Sequence, residues 1–187
     1  DARPWARAYL ALMLLIILFS SIAPSFLSAR NLVIVAEQVA VFAILGIGMT
    51  FVILAAGIDL SVGAVAGLAA MVAGYLISEG LRLPWLGVSA FFSIPMVCIL
   101  SLALGTLVGA INGWFITRLK VTPFIMTLGM LYMARGAAQL VSGGATYGDL
   151  TGQAELYNGG FLLLGTARVL SVPVSIWLML ILTLVAV

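Results

Sequence analysis

Six long apolar runs constrain this chain more than any other feature. They cover about residues 8–23, 33–56, 59–78, 85–111, 123–141 and 169–187. A helix needs ~20 apolar residues to cross a hydrocarbon core of ~30 Å. Runs this long, with little alternation, do not suit barrel strands, and lipid otherwise admits only helices. The expected fold is all-α: a polytopic integral membrane protein with about six transmembrane helices. Composition agrees. Hydrophobic residues fill 64% of 187 positions and charged residues 7%, against about 45–50% and roughly 25% in soluble domains. Arg3 and Arg7 ahead of the first run also fit a secretory signal. The residues after it show no clear small-x-small cleavage site, and more spans follow.

Missing residue types exclude whole function classes. There is no histidine, and Cys98 is the single cysteine, so a His-based metal site, a thiolate cluster and an intramolecular disulfide are excluded. No phosphate-binding G-x-x-x-x-G-K-[ST] occurs, and Lys120 is the only lysine. No nucleophile–base pair is evident. The chain is expected to be no enzyme and to hold no cofactor or metal. If it serves ATP-driven transport, ATP hydrolysis belongs to another chain. Eight basic residues, scattered along the sequence, do not make a nucleic-acid surface.

Basic residues set an expected orientation. Arg3 and Arg7 precede the first span, and Arg118 and Lys120 separate the fourth from the fifth. Both segments then face the cytoplasm, with a cytoplasmic N-terminus. Arg30, Glu79, Arg82 and the loop 142–168 face the other side. That loop holds seven glycines, Asp149, Glu155 and Arg168. A docking surface, a partial gate and a solvated connector are all compatible with it. The chain starts at Asp1 and stops inside an apolar run. It reads as one transmembrane domain, 1–187, truncated at its C-terminus.

Small residues recur at helical spacing: Gly105, Gly109 and Gly113; Gly63 and Gly67; Ala66, Ala70 and Gly74. Such rows let helix backbones approach closely in lipid.

Polar residues within the apolar runs carry the functional readings. In "LAAGIDLSVGAVAG", Asp59 suits the N-cap of the third span, with Gly57 permitting the turn and the amides of Leu60, Ser61 or Val62 as donors. The alternative is a helix discontinuity in which Asp59 and Ser61 face a translocation path. In "RLKVTPFIMTLG", Thr122 suits a cap and Pro123 the first helical turn. Arg118 and Lys120 beside them anchor the cytoplasmic side or offer a contact surface to a partner. Asn112 and Gly113 stand near the end of span four. Glu37, Gln38, Arg135 and Gln139 lie inside spans. Glu37 and Arg135 either pair within the membrane or snorkel separately.

"GIDLSVGAVAGLAA", "VGAINGWFITRLKVTPFIMTLGMLYMARGAAQLVSGG" and "GTARVLSVPVSIW" together resemble the permease subunits of bacterial ABC importers for simple sugars of the ribose, xylose, arabinose and galactose type. The resemblance runs in order from about residue 30 to 187. The related branched-chain amino-acid permeases share the architecture and tend to lack the aspartate that matches Asp59. The resemblance implies a longer protein of about ten spans, with this chain as its N-terminal six-tenths. It also implies a cytoplasmic ATP-binding subunit, a periplasmic sugar-binding protein and a second permease copy as partners. The motif positions are Gly57, Asp59, Ser61, Gly63, Asn112, Gly113, Pro123, Thr127, Gly129, Arg135 and Gly136. Of these, Gly57, Asp59, Ser61, Gly63 and Asn112 are assigned to a helix junction or substrate pathway. Arg118, Lys120 and Pro123 are assigned to the ATPase-facing surface. The segment "ATYGDLTGQAELYNGG" carries no family signature. An ion-coupled secondary transporter and a membrane scaffold are the competing classes.

Overall fold

The computed structural model describes residues 4–152, 154–156 and 158–186. These form the helices α1 (Pro4–Ile22), α2 (Ala29–Leu54), α3 (Val62–Ser78), α4 (Ile94–Arg118), α5 (Pro123–Ser142), α6 (Phe161–Thr166) and α7 (Val174–Ala186). Two small antiparallel hairpins interrupt them: β1 (Leu81–Leu83) with β2 (Val88–Ala90), and β3 (Arg168–Val169) with β4 (Val172–Pro173). The chain is a polytopic membrane protein. Four helices, α1, α2, α4 and α5, are long and apolar enough to span a bilayer; α3 and α7 are shorter apolar helices.

The sequence expectation needs correction at both ends of the fourth helix, which runs on to Arg118 rather than closing at Asn112 and Gly113, and at the starts of the third and last. The fourth helix starts at Ile94, nine residues after Trp85, because 81–90 closes a hairpin around Pro84 and a left-handed Gly87 (φ +64°). The last helix starts at Val174 rather than 169, because Leu170 and Ser171 turn left-handed (φ +53° and +65°) between β3 and β4. The third starts at Val62, three residues after Asp59.

By compactness the chain divides into residues 4–44 with 168–185, and residues 45–167. In the first unit, α1 turns into α2 through stacked Phe19 and Phe26, 5.8 Å between ring centres. Asn31 Nδ2 donates to Phe26 O at 2.7 Å. Trp177 Nε1 donates to Val169 O at 3.1 Å and ties α7 to its hairpin. Most large side chains of α1 are exposed (Leu14 67%, Ile22 68%), as a helix surrounded by hydrocarbon requires.

The second unit is organised by α3, which packs against both α5 and α4. At 17 residues α3 measures ~25 Å. Glycine and alanine make up much of its sequence, so neighbours approach its backbone closely. Ala73, Leu76 and Ile77 join Ile94 and Val97 of α4 in the core, with Phe92 and Phe161 packed against them. The segment after α5 folds over this end of α3. Tyr147 lies against Gly74, where an added Cβ would stand 2.7 Å from Tyr147 Cδ2. Asn158 is fully buried, and its Nδ2 donates to Ile77 O at 2.9 Å. The tight approach expected of the small-residue rows is realised at Gly74. At Gly63, Gly67, Gly105, Gly109 and Gly113 nothing lies within 4 Å of an added Cβ. Much of the α4 row borders open space instead.

Candidate functional site

The break between α2 and α3 gathers Asp59, Ser61, Asn112 and Thr127. α2 ends without proline. Gly57 N–H donates to Val52 O (2.9 Å) and Ala56 N–H to Ile53 O (2.9 Å), with Ala56 left-handed at φ +55°. This bond pattern satisfies the last carbonyls of a helix and turns the chain away from its axis. The left-handed residue is thus Ala56, not Gly57. Gly57 serves a different need: a Cβ there would stand 3.2 Å from Val52 Cγ1 and from Val52 O.

Residues 55–61 are non-helical. Irregular backbone survives at membrane depth only where protein or a hydrated cavity satisfies it. Here α4 and α5 brace it from two sides. Asp59 Oδ1 accepts from Ser61 N–H and from Ser61 Oγ, both at 2.7 Å. Ser61 Oγ in turn accepts from Asn112 Nδ2 of α4 at 3.1 Å. From α5, Thr127 Oγ1 lies 2.8 Å from Pro123 O and 3.2 Å from Ile58 O. Ser61, Asn112 and Thr127 are 1%, 5% and 2% exposed. The N-cap position of α3 is Ser61, whose own side chain makes no capping bond. Asp59, two residues upstream, closes a local Asx turn on Ser61 instead. The amide of Ser61 is among the donors expected for it.

Asp59, Ser61 and Asn112 line a cavity of about 470 Å³ between α3 and α4. The walls are apolar (Leu45, Val62, Val65, Ala66, Ala69, Leu102), with Gly105 and Gly109 leaving the α4 side open. Ser101 and Thr106 add hydroxyls. Among the described residues, no lysine or arginine lines it. Asn112 stands six residues before the Arg118 end of α4, so the break lies ~9 Å inside that helix end. Gly57 and Gly63 are absent from the lining.

The remaining predicted residues lie elsewhere. Arg118 ends α4, Lys120 is left-handed at φ +56°, and both are exposed. Pro123 occupies the first turn of α5, and Thr122 is its N-cap without a side-chain capping bond. Glu37 belongs to the first unit and is half-buried; Arg135 belongs to the second and is exposed. At the other end of α3, Arg82 Nη2 meets Glu79 Oε2 at 2.6 Å, and Tyr147 OH lies 3.2 Å from Val141 O and 3.4 Å from Glu79 Oε1. Burial, and then the Glu79 charge, push the Tyr147 phenol above its usual pKa. Thr151 amide and hydroxyl bonds hold the Asp149 carboxyl below the ordinary 3.8. Sequence reasoning missed Ser101. Its signal was present: it stands eleven residues, three helical turns, before Asn112 on one face of α4.

Comparison with known proteins places the chain. Residues 31–187 match the family described as "Branched-chain amino acid transport system / permease component". The chain is 40% identical over 175 residues to the ribose import permease protein RbsC of Haemophilus influenzae, covering 92% of this chain and 49% of that protein. It is 34% identical over 174 residues to RbsC of Escherichia coli, covering 92% and 50%. The Escherichia coli autoinducer 2 import system permease protein LsrC is 30% identical over 176 residues, covering 92% and 48%. The chain thus spans about half the length of the curated relatives it matches. No solved structure matches it. The resemblance to sugar-importer permeases read from the sequence is borne out by these relatives, and the chain belongs to the family of branched-chain amino acid transport system permease components.

Proposed function

We propose that this chain is the N-terminal portion of the transmembrane permease subunit of an ATP-driven monosaccharide importer in the bacterial inner membrane. The observation that carries this reading is the 40% identity to a ribose import permease across 92% of the chain. The braced break at 55–61 supports it, because an interrupted helix beside a cavity is a common way to build a transport path. On this reading the chain belongs to a transmembrane domain that exposes the cavity alternately to each side. The N-terminus and the Arg118–Lys120–Pro123 corner face the cytoplasm, where the corner meets a separate ATP-binding subunit. The loop 142–168 faces the periplasm and the protein that delivers sugar. A second permease copy completes the assembly.

The test is reconstitution of the full-length permease in proteoliposomes with its ATPase and binding protein. ATP-dependent uptake of D-ribose is expected. Uptake driven by a proton or sodium gradient without ATP supports a secondary transporter instead. The family description motivates a second substrate, a branched-chain amino acid, so competition by leucine belongs in the same assay.

A further inference from the structure

Among the described residues, two buried side-chain atoms find no hydrogen-bond partner: Ser101 Oγ and Asn112 Oδ1. Both residues line the cavity between α3 and α4. Buried polar atoms without partners are costly, and a native fold keeps few of them. Two on one cavity wall point to a ligand that supplies what the protein lacks.

The orientation of Asn112 follows from Asp59. An ionised carboxylate only accepts, so the Ser61 hydroxyl gives it its single proton at 2.7 Å. That hydroxyl is then left as an acceptor toward Asn112, which turns its NH₂ to it at 3.1 Å. The Asn112 carbonyl oxygen is therefore directed away from Ser61 and stays a free acceptor. Asp59 fixes this polarity without touching Asn112.

Ser101 and Asn112 are eleven residues apart on α4, ~16 Å along one face. Gly105 and Gly109 stand between them, with nothing within 4 Å of an added Cβ. The result is a glycine-floored groove with a hydroxyl at one end and an amide acceptor at the other. It is longer than one sugar ring. Among the described residues no cation lines it, so a carboxylate or phosphate on the ligand would find no counter-charge there and would meet Asp59.

We propose that this groove is a two-station path for a small neutral polyhydroxylated molecule, with Asn112 Oδ1 accepting from one of its hydroxyls and Asp59 acting through Ser61 as a positioning residue. The inference rests on the permease reading above and assigns its substrate contacts. It disfavours an amino acid, whose carboxylate the groove does not match.

The test uses the full-length permease with its ATPase and binding protein in proteoliposomes, and D-ribose and its monodeoxy analogues as probes. Asn112→Ala is expected to raise the half-saturating ribose concentration ~10-fold, the effect of one lost hydrogen bond. The analogue lacking the bonded hydroxyl should be affected little, so discrimination between the two collapses. Asp59→Ala, which takes away the acceptor of the Ser61 hydroxyl, should lose the same discrimination, and should add nothing in the Asn112→Ala background. Equal shifts for ribose and every analogue, or a full Asp59→Ala effect in that background, overturn the inference. A binding readout covers variants that fold poorly. In a Cys98→Ala background, ribose should slow thiol labelling of Gly105→Cys several-fold and leave Thr117→Cys, outside the groove, unchanged. Absence of protection at Gly105→Cys also overturns the inference. Wild-type complex without ATP-dependent ribose uptake, but with protection at Gly105→Cys, instead defeats the importer reading and leaves the groove standing.

Discussion

Ser61→Ala removes the middle of the chain Asp59–Ser61–Asn112, and its cost follows from the geometry. Ser61 is 1% exposed. Its hydroxyl donates to Asp59 Oδ1 at 2.7 Å and accepts from Asn112 Nδ2 at 3.1 Å. A bond to a charged group contributes about 1.5–3 kcal/mol. Asp59 is half-exposed and keeps the Ser61 N–H bond, so the lower end applies. Stranding the Asn112 NH₂ adds about 1–2 kcal/mol, because its carbonyl already lacks a partner. The expected loss is about 2.5–3.5 kcal/mol. Asn112→Leu behaves differently. It preserves apolar bulk and deletes both ends of the amide, so it should cost about 1 kcal/mol or less. Once residue 112 is apolar, Ser61→Ala strands nothing and should cost only about 1.5 kcal/mol. The two substitutions should therefore couple by about 1–2 kcal/mol. Reversible unfolding by SDS in mixed micelles, run on the four proteins of the cycle, measures this. If Ser61→Ala costs the same in both backgrounds within about 0.5 kcal/mol, the hydrogen-bonded chain does not hold the break.

Three further outcomes are expected. Thr127→Val keeps shape at a site 2% exposed but strips the donor near Ile58 O, and should cost about 1 kcal/mol; Thr127→Ser should recover most of it in the same unfolding assay. Gly74→Ala drives a methyl to 2.7 Å from Tyr147 Cδ2 and should destabilise by about 1–3 kcal/mol, with much of the loss relieved by Tyr147→Ala. The Asp149 carboxyl sits below its ordinary 3.8 because the Thr151 hydroxyl and amide bond it. Its folded pKa is lowered, so its stabilisation is full above that value and fades as pH falls through the lowered one. Asp149→Asn should remove this part of the acid dependence, read as the protease susceptibility of the 142–152 segment against pH.

Much of the architecture was legible because lipid makes it so. A backbone in hydrocarbon must satisfy its own N–H and C=O groups, and apolar run length reports a spanning helix directly. Runs 8–23, 33–56 and 123–141 fall close to α1, α2 and α5. Pro123 at the first turn and the Gly143 αL cap behave as local chemistry predicts. The same apolarity hid the hairpins. "LRLPWLGVSA" is as oily on a strand as on a helix, so only the turn at Pro84–Gly87 marks it. The family was legible too, because short motifs such as "GIDLSVG" and "VTPFIMTLG" occur in order along the chain.

The sequence by itself determined the helical membrane fold, the absence of histidine, thiolate-cluster and phosphate-loop chemistry, and the clustering of polar residues at 57–63. Tertiary structure decided what those residues do. Asp59 and Ser61 are local partners, but Asn112 is 51 residues from Ser61, and Thr127 is 69 residues from Ile58. A helix apolar on every side gives no periodic signal of which face meets a neighbour. That choice depends on where small residues let backbones approach. Packing pressed Gly74 against Tyr147 and left Gly105 and Gly109 open on a cavity. It thereby turned an aspartate that reads as a helix cap into the start of a hydrogen-bonded chain that orients Asn112.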